Sequence, residues 1–183
     1  MCRDGGPPRL HGPAAAGLVR LPLDEQAEAR AGVLAAARSG EVAPPQREAA
    51  RQRLAQLLRR AVREGRAAGG IDIMLSVAVR RGVPLAASCL ISYLEYEHRQ
   101  VPLDLLSAEL ASAGGTASMT EIARGPAVRH RHRQETLTRV DYFLPVPGRA
   151  GLLALAFSTP VEQLADAFVL LFDAIAESLA WQS

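Results

Sequence analysis

Lysine is missing from this chain of 183 residues, and all 21 basic side chains are arginine. With the abundant alanine this reads as the codon bias of a GC-rich genome and carries no functional meaning. Aromatic residues make up only 4%, so the core has to be built mostly from Leu, Ala and Val. The two cysteines, Cys2 and Cys89, form no Cys-x-x-Cys, which excludes a disulfide framework and points to a reducing interior. No apolar run approaches the roughly 18 residues of a membrane span. The first 16 residues lack the continuous apolar segment of a signal peptide, and no hydrophobic stretch precedes Cys2 as in a lipoprotein acceptor. A cytoplasmic location is expected. Common catalytic signatures are missing too: there is no Gly-x-Ser-x-Gly elbow, phosphate loop, dinucleotide glycine motif or His-Glu-x-x-His.

What is present suits one domain, residues 17–183, after a disordered tail at 1–16 that has too few apolar groups to offset the entropy of ordering. Hydrophobic content of 49% supports a buried core. Net charge is +2 but polarised: residues 1–70 hold 12 Arg against 7 acids, and residues 71–183 hold 9 Arg against 12 acids. Such asymmetry either guides a partner or pairs internally.

The clearest local pattern lies in residues 136–181. Val140, Tyr142, Leu144 and Val146 alternate as a strand, Val146-Pro147-Gly148-Arg149 has turn chemistry, and a second strand runs from Gly151 to Ser158. Leu153, Leu155 and Phe157 share its heavier face, while Leu152, Ala154, Ala156 and Ser158 share a lighter one that would let a helix lie close. Thr159-Pro160-Val161-Glu162 fits a capping box. The helix it opens should bury Leu164, Phe168, Leu171, Ile175 and Leu179 and carry Glu162, Asp166, Asp173 and Glu177 on the opposite side. Trp181 is expected to fold back and pin the helix end.

Upstream, a short strand at 17–21 leads to a helix capped by Asp24 with Ala27, Ala31, Leu34 and Ala35 inside. Pro44-Pro45 opens a longer helix to about Arg66 with Ala50, Leu54, Leu57, Leu58, Ala61 and Val62 on its inner side. Strands follow at about 71–79 and 85–97, then a short helix with Leu103, Leu106 and Leu110, closed by Gly114-Gly115. A strand from about Ala117 to Arg133 has a bulge or break at Gly125-Pro126. Hairpins connect most strands, so an α+β domain with a mainly antiparallel sheet covered by helices is expected.

Two basic patterns are candidate partner-binding surfaces. One is Arg59, Arg63 and Arg66 on the long helix, whose outer side also holds Arg47, Arg51, Arg53 and Arg60 against only Glu48 and Glu64. The other is Arg129-His130-Arg131-His132-Arg133, where a strand sends Arg129, Arg131 and Arg133 to one face and His130 and His132 to the other. A His-x-His pair is a start for a metal site, but zinc needs a further ligand. The remaining histidines are His11 in the tail and His98 at a strand end, so no metal or cofactor is expected. The Arg row could meet phosphate, yet no aromatic is interleaved with it and net charge is near zero, so nucleic acid is not the favoured partner. Its alternative use is pairing with Glu95 and Glu97 on a neighbouring strand. Cys89 in a strand interior is expected to be an inert core thiol.

The runs Val140-Asp141-Tyr142-Phe143-Leu144-Pro145-Val146-Pro147-Gly148, Leu153 to Pro160 and Phe172 to Leu179 resemble the end of PsbP-like α/β/α sandwich domains. That resemblance implies a fold whose known members, the photosystem extrinsic subunit and Ran-binding import factors among them, act by binding proteins. The expected function is therefore a non-catalytic protein-binding module, an adaptor, assembly factor or secretion accessory that presents a helix face or sheet edge. The alternatives are an arginine-based nucleic-acid binder and a small-ligand pocket between helix and sheet. An exposed sheet edge would also permit self-association.

Overall fold

Alternation and capping signals become, in chain order, β1 (Leu10–His11), β2 (Leu18–Pro22), α1 (Ala27–Ser39), α2 (Pro44–Ala67), β3 (Gly70–Ser76), β4 (Val79–Arg80), β5 (Val83–Pro84), β6 (Ser88–Glu95), α3 (Leu103–Ala113), β7 (Thr116–Ile122), β8 (Gly125–Gln134), β9 (Leu137–Pro145), β10 (Gly151–Thr159), α4 (Ala165–Glu177) and β11 (Ala180–Trp181). The structure is a computed structural model and describes residues 10–11, 18–39, 44–76, 79–80, 83–84, 86–95, 102–123 and 125–181. The class is α+β, and the strand pairs with defined register are antiparallel. Two compact units form, one of residues 20–73 and the other of the described residues before 20 together with those from 74 on.

In the 20–73 unit, Asp24 starts α1 as expected: its Oδ1 accepts the Gln26 N–H at 2.9 Å. Small residues make close helix packing possible, and Ala27, Ala31 and Ala35 are fully buried beside Leu58 and Val62 of α2. Leu57, expected inside, is 59% exposed. Arg66 folds back along the surface of its own unit, donating from Nε to the Leu23 carbonyl at 3.2 Å and from its terminal nitrogen to the Asp24 carbonyl.

In the other unit the strands lie in the order β6-β10-β9-β8-β7. The expected break at Gly125-Pro126 is a full chain reversal, since β7 pairs with β8 through Ile122↔Gly125 around Ala123, whose φ is 53°. Helix α3 covers one face, placing Leu103, Leu106 and Leu110 against Val128, Phe143 and Leu152. Helix α4 covers the other, on the heavier row of β10. Phe157 stacks on Phe172 at 4.9 Å between ring centres, with Tyr142 edge-on to Phe157 at 5.9 Å.

The capping box does not form. Thr159 ends β10 fully buried; its hydroxyl donates to the Ala86 carbonyl at 2.8 Å and accepts the Val161 N–H at 3.2 Å. Val161 is not helical (φ −87°, ψ 87°), and a 3-10 turn at Glu162–Leu164 comes before α4. The buried stripe of α4 is also rotated from the expected one. It comprises Phe168, Val169, Phe172, Ile175 and Ala176, with Leu179 just beyond, whereas Leu164 and Leu171 are exposed. Trp181 joins β11, which pairs with β1 through Leu10↔Trp181, so Leu10 and His11 of the expected loose tail form a strand.

The Phe157–Phe172 contact is the centre of this packing. Phe157→Ala is expected to cost about 3–5 kcal/mol in urea unfolding. A loss under about 1 kcal/mol would show that α4 is held by other contacts.

Candidate functional site

Strand β8 carries both chemistry-bearing rows, and its pleat separates them. Arg129, Arg131 and Arg133 point toward α4. Their partners are Asp173, Asp166 and Glu162, at 2.7, 2.7 and 2.9 Å. Glu95 does not take this role: it lies opposite Gly151, on a strand separated from β8 by β10 and β9, and Glu97 lies outside the described residues. The acids Glu162, Asp166 and Asp173 thus lie along the flank of the α4 region that borders β8, Asp173 half-buried and the other two largely exposed. Glu162 and Asp166 also sit near the N-terminal end of the helix, where negative charge is favoured.

The three pairs differ in weight. Arg131–Asp166 and Arg133–Glu162 are solvent-exposed, and such pairs contribute about 0–1 kcal/mol each. Arg129–Asp173 is half-buried and two-pronged, with Nε at 2.7 Å from Oδ1 and a terminal nitrogen at 3.0 Å from Oδ2. Tyr142, the register partner of Arg129 on β9, donates its hydroxyl to the same carboxylate. Burial works to raise the Asp173 pKa, but the hydrogen bonds from Arg129 and Tyr142 outweigh it and hold the group below its ordinary 3.8. Burial, then the Asp173 contact, pushes the Tyr142 hydroxyl far above its usual range. Thr120, Ile122 and Glu177 join these three residues around a cavity of about 210 Å³.

On the other face of β8, His130 and His132 stack at 4.4 Å between ring centres. The β8–β9 register sets His130 opposite Asp141 and His132 opposite Arg139. Asp141 is buried, with Oδ1 at 3.2 Å from an Arg139 terminal nitrogen and Oδ2 at 3.7 Å from His132 Nδ1. Burial raises the Asp141 pKa, and burial lowers that of His132. His130 Nε2 lies 2.7 Å from the Gly114 carbonyl at the end of α3. That approach needs glycine at Gly115, where φ is +89° and where a side-chain methyl would lie 2.3 Å from the Arg131 carbonyl and 2.8 Å from His132 Cβ.

Among the described residues His130, His132 and Asp141 offer ligand atoms within 4.8 Å of one another, so Asp141 supplies a third candidate ligand. The signal that would have revealed it is the β8–β9 turn. Glu135-Thr136 contains no Gly, Asn or Pro, although Glu135 takes φ 54°, and counting back from that turn places Asp141 opposite His130.

On α2, Arg59 and Arg63 are exposed, Arg51 and Arg60 pair along the helix with Glu48 and Glu64, and Arg66 is held as described above. Cys89 is fully buried, and burial raises its thiol pKa well above the ordinary value. No helix among the described residues is long and apolar enough to cross a membrane. Comparison with protein-family models, curated proteins and solved structures finds no match.

Because the folded Asp173 pKa is depressed, its ionised form adds stability above pH 3.8, and that stability is lost as pH falls through the lower folded value. Urea unfolding followed from about pH 6 down to about pH 3 should therefore show a shallower acid loss in Asp173→Asn than in wild type. Gly115→Ala is expected to lower stability by roughly 1–3 kcal/mol in the same assay, because a side chain is placed at positive φ against backbone.

Proposed function

We propose that the chain is a non-catalytic protein-binding module whose docking surface is the outer side of α4. The observation that carries this reading is an exposed apolar stripe on a helix that is otherwise well anchored: Leu170 is 70% exposed, Leu171 44% and Leu164 41%. Ala167 and Ala174 extend it. Turning this much apolar surface toward water is unfavourable, and contiguous exposed patches commonly mark binding sites.

Charge narrows the partner. Asp166, one turn before Leu170, is already paired with Arg131, so the exposed Glu177, two turns after Leu170, is the acidic group left at the edge of the stripe. The fitting partner is an apolar helix or strand edged with basic side chains, seated as in helix-and-groove recognition. The resemblance to PsbP-like domains agrees with this reading, because their known members bind proteins, although it supplies no contact residue. The arginine row of β8 supports nucleic-acid binding poorly, since its charges are answered by carboxylates of α4. The exposed Arg53, Arg59 and Arg63 of α2 are the more open basic group.

The test is a Leu170→Glu/Leu171→Glu double variant. It should keep wild-type stability within about 0.5 kcal/mol, as exposed substitutions do, and lose the defined partner that immobilised wild-type protein retains from its host. If light scattering shows a dimer that the variant splits, the partner is a second copy. Undiminished retention by the variant would contradict the proposal, as would a tightly held small molecule without any protein partner.

A further inference from the structure

We propose that His130, His132 and Asp141 form a binding site for a divalent transition ion of the zinc type, with a fourth position open to water. This site lies on the α3 side of β8 and is independent of the α4 surface.

Backbone register assembles it. Alternation sends both imidazoles to one face of β8, and the antiparallel partner of His130 is Asp141 on β9. The three ligand atoms lie within 4.8 Å of one another. Tetrahedral zinc with bonds of about 2.0–2.1 Å sets its ligands roughly 3.3 Å apart, so side-chain rotations that close the group by up to about 1.5 Å complete it.

The imidazoles are prepared for the role. A carbonyl only accepts, so His130 Nε2 must carry the hydrogen that it gives to Gly114, which leaves Nδ1 of the neutral ring with a free lone pair. A histidine that donates from one nitrogen to a backbone carbonyl and ligates through the other is the usual outer-shell arrangement at metal sites. His132 supplies the second indication. Its Nδ1 is buried without a hydrogen-bond partner, and its nearest acidic atom is Asp141 Oδ2, at 3.7 Å, beyond hydrogen-bond reach. Orphaned buried polar atoms are rare in folded proteins, and a cation held between His132 Nδ1 and Asp141 Oδ2 would give that nitrogen its partner.

The electrostatics permit a cation despite the surrounding arginines. Arg129, Arg131 and Arg133 project from the opposite side of the strand and are paired with carboxylates. Arg139 is on the same side, but it engages Asp141 Oδ1 and leaves Oδ2 for the ion. Two imidazoles and one carboxylate favour zinc, cobalt, nickel or copper over calcium or magnesium, which select oxygen ligands.

The experiment is titration of chelator-treated full-length protein with Co2+, read by visible absorption, and with Zn2+, read by calorimetry. One equivalent per chain should bind, with the absorption of a four-coordinate cobalt site, and Zn2+ should raise the unfolding midpoint. His132→Ala and Asp141→Asn should each weaken binding by at least about tenfold and abolish the midpoint shift. A His11→Ala/His98→Ala variant should leave it unchanged. Circular dichroism monitors folding, and His132→Gln replaces His132→Ala if that variant fails to fold. Absence of a bound equivalent in the wild type, binding that survives loss of His132 and Asp141, or binding lost with His11 and His98 would each overturn the assignment.

Discussion

Two neighbouring strands present Arg129 and Tyr142 side by side, and both reach the same carboxylate on the closing helix, Asp173. This convergence fixes how α4 can be rotated about its own axis. With Asp173 drawn to β8, Phe172 and Phe168 fall over Phe157 and the sheet, and Leu170 and Leu171 are left on the solvent side. The half-buried charge therefore settles both the core contact and the surface that remains for a partner, since an uncompensated Arg129 in this position would be costly.

The same strand shows how an antiparallel sheet can keep two kinds of chemistry apart. Side chains one residue apart along β8 lie on opposite faces, so a row of guanidinium groups and a pair of imidazoles coexist within five residues without meeting. Each face is closed by a different element: carboxylates of the α4 region answer the arginines, and the end of α3 offers its carbonyl to His130. Glycine at 115 is the local condition for the second arrangement, because the backbone of β8 passes where a side chain would otherwise stand.

Much of this is legible in the sequence wherever a single physical signal dominates. Alternation marks β9 and β10, Pro147-Gly148 marks their turn, Asp24 marks the start of α1, and Gly114-Gly115 marks the end of α3. Long-range pairing is less accessible. The Glu135-Thr136 reversal has no turn residue to announce it, so the register that joins Asp141 to the histidines stays hidden. The rotation of α4 is hard to read from its own residues, because Leu164 and Leu171 are as apolar as residues that are buried, and the partner of Asp173 lies on another strand. Thr159 resembles a cap by its spacing to Glu162, but its hydroxyl has a competing use across the sheet, toward Ala86.

The coupling of Arg129 to Asp173, which sets the closing helix on the sheet, is tested most directly by a double-mutant cycle with Arg129→Met and Asp173→Asn, each measured by equilibrium unfolding. A coupling free energy of at least about 1 kcal/mol is expected, because the two groups are in two-pronged contact and half-buried. Additive losses, within about 0.3–0.5 kcal/mol of the sum of the single variants, would contradict it.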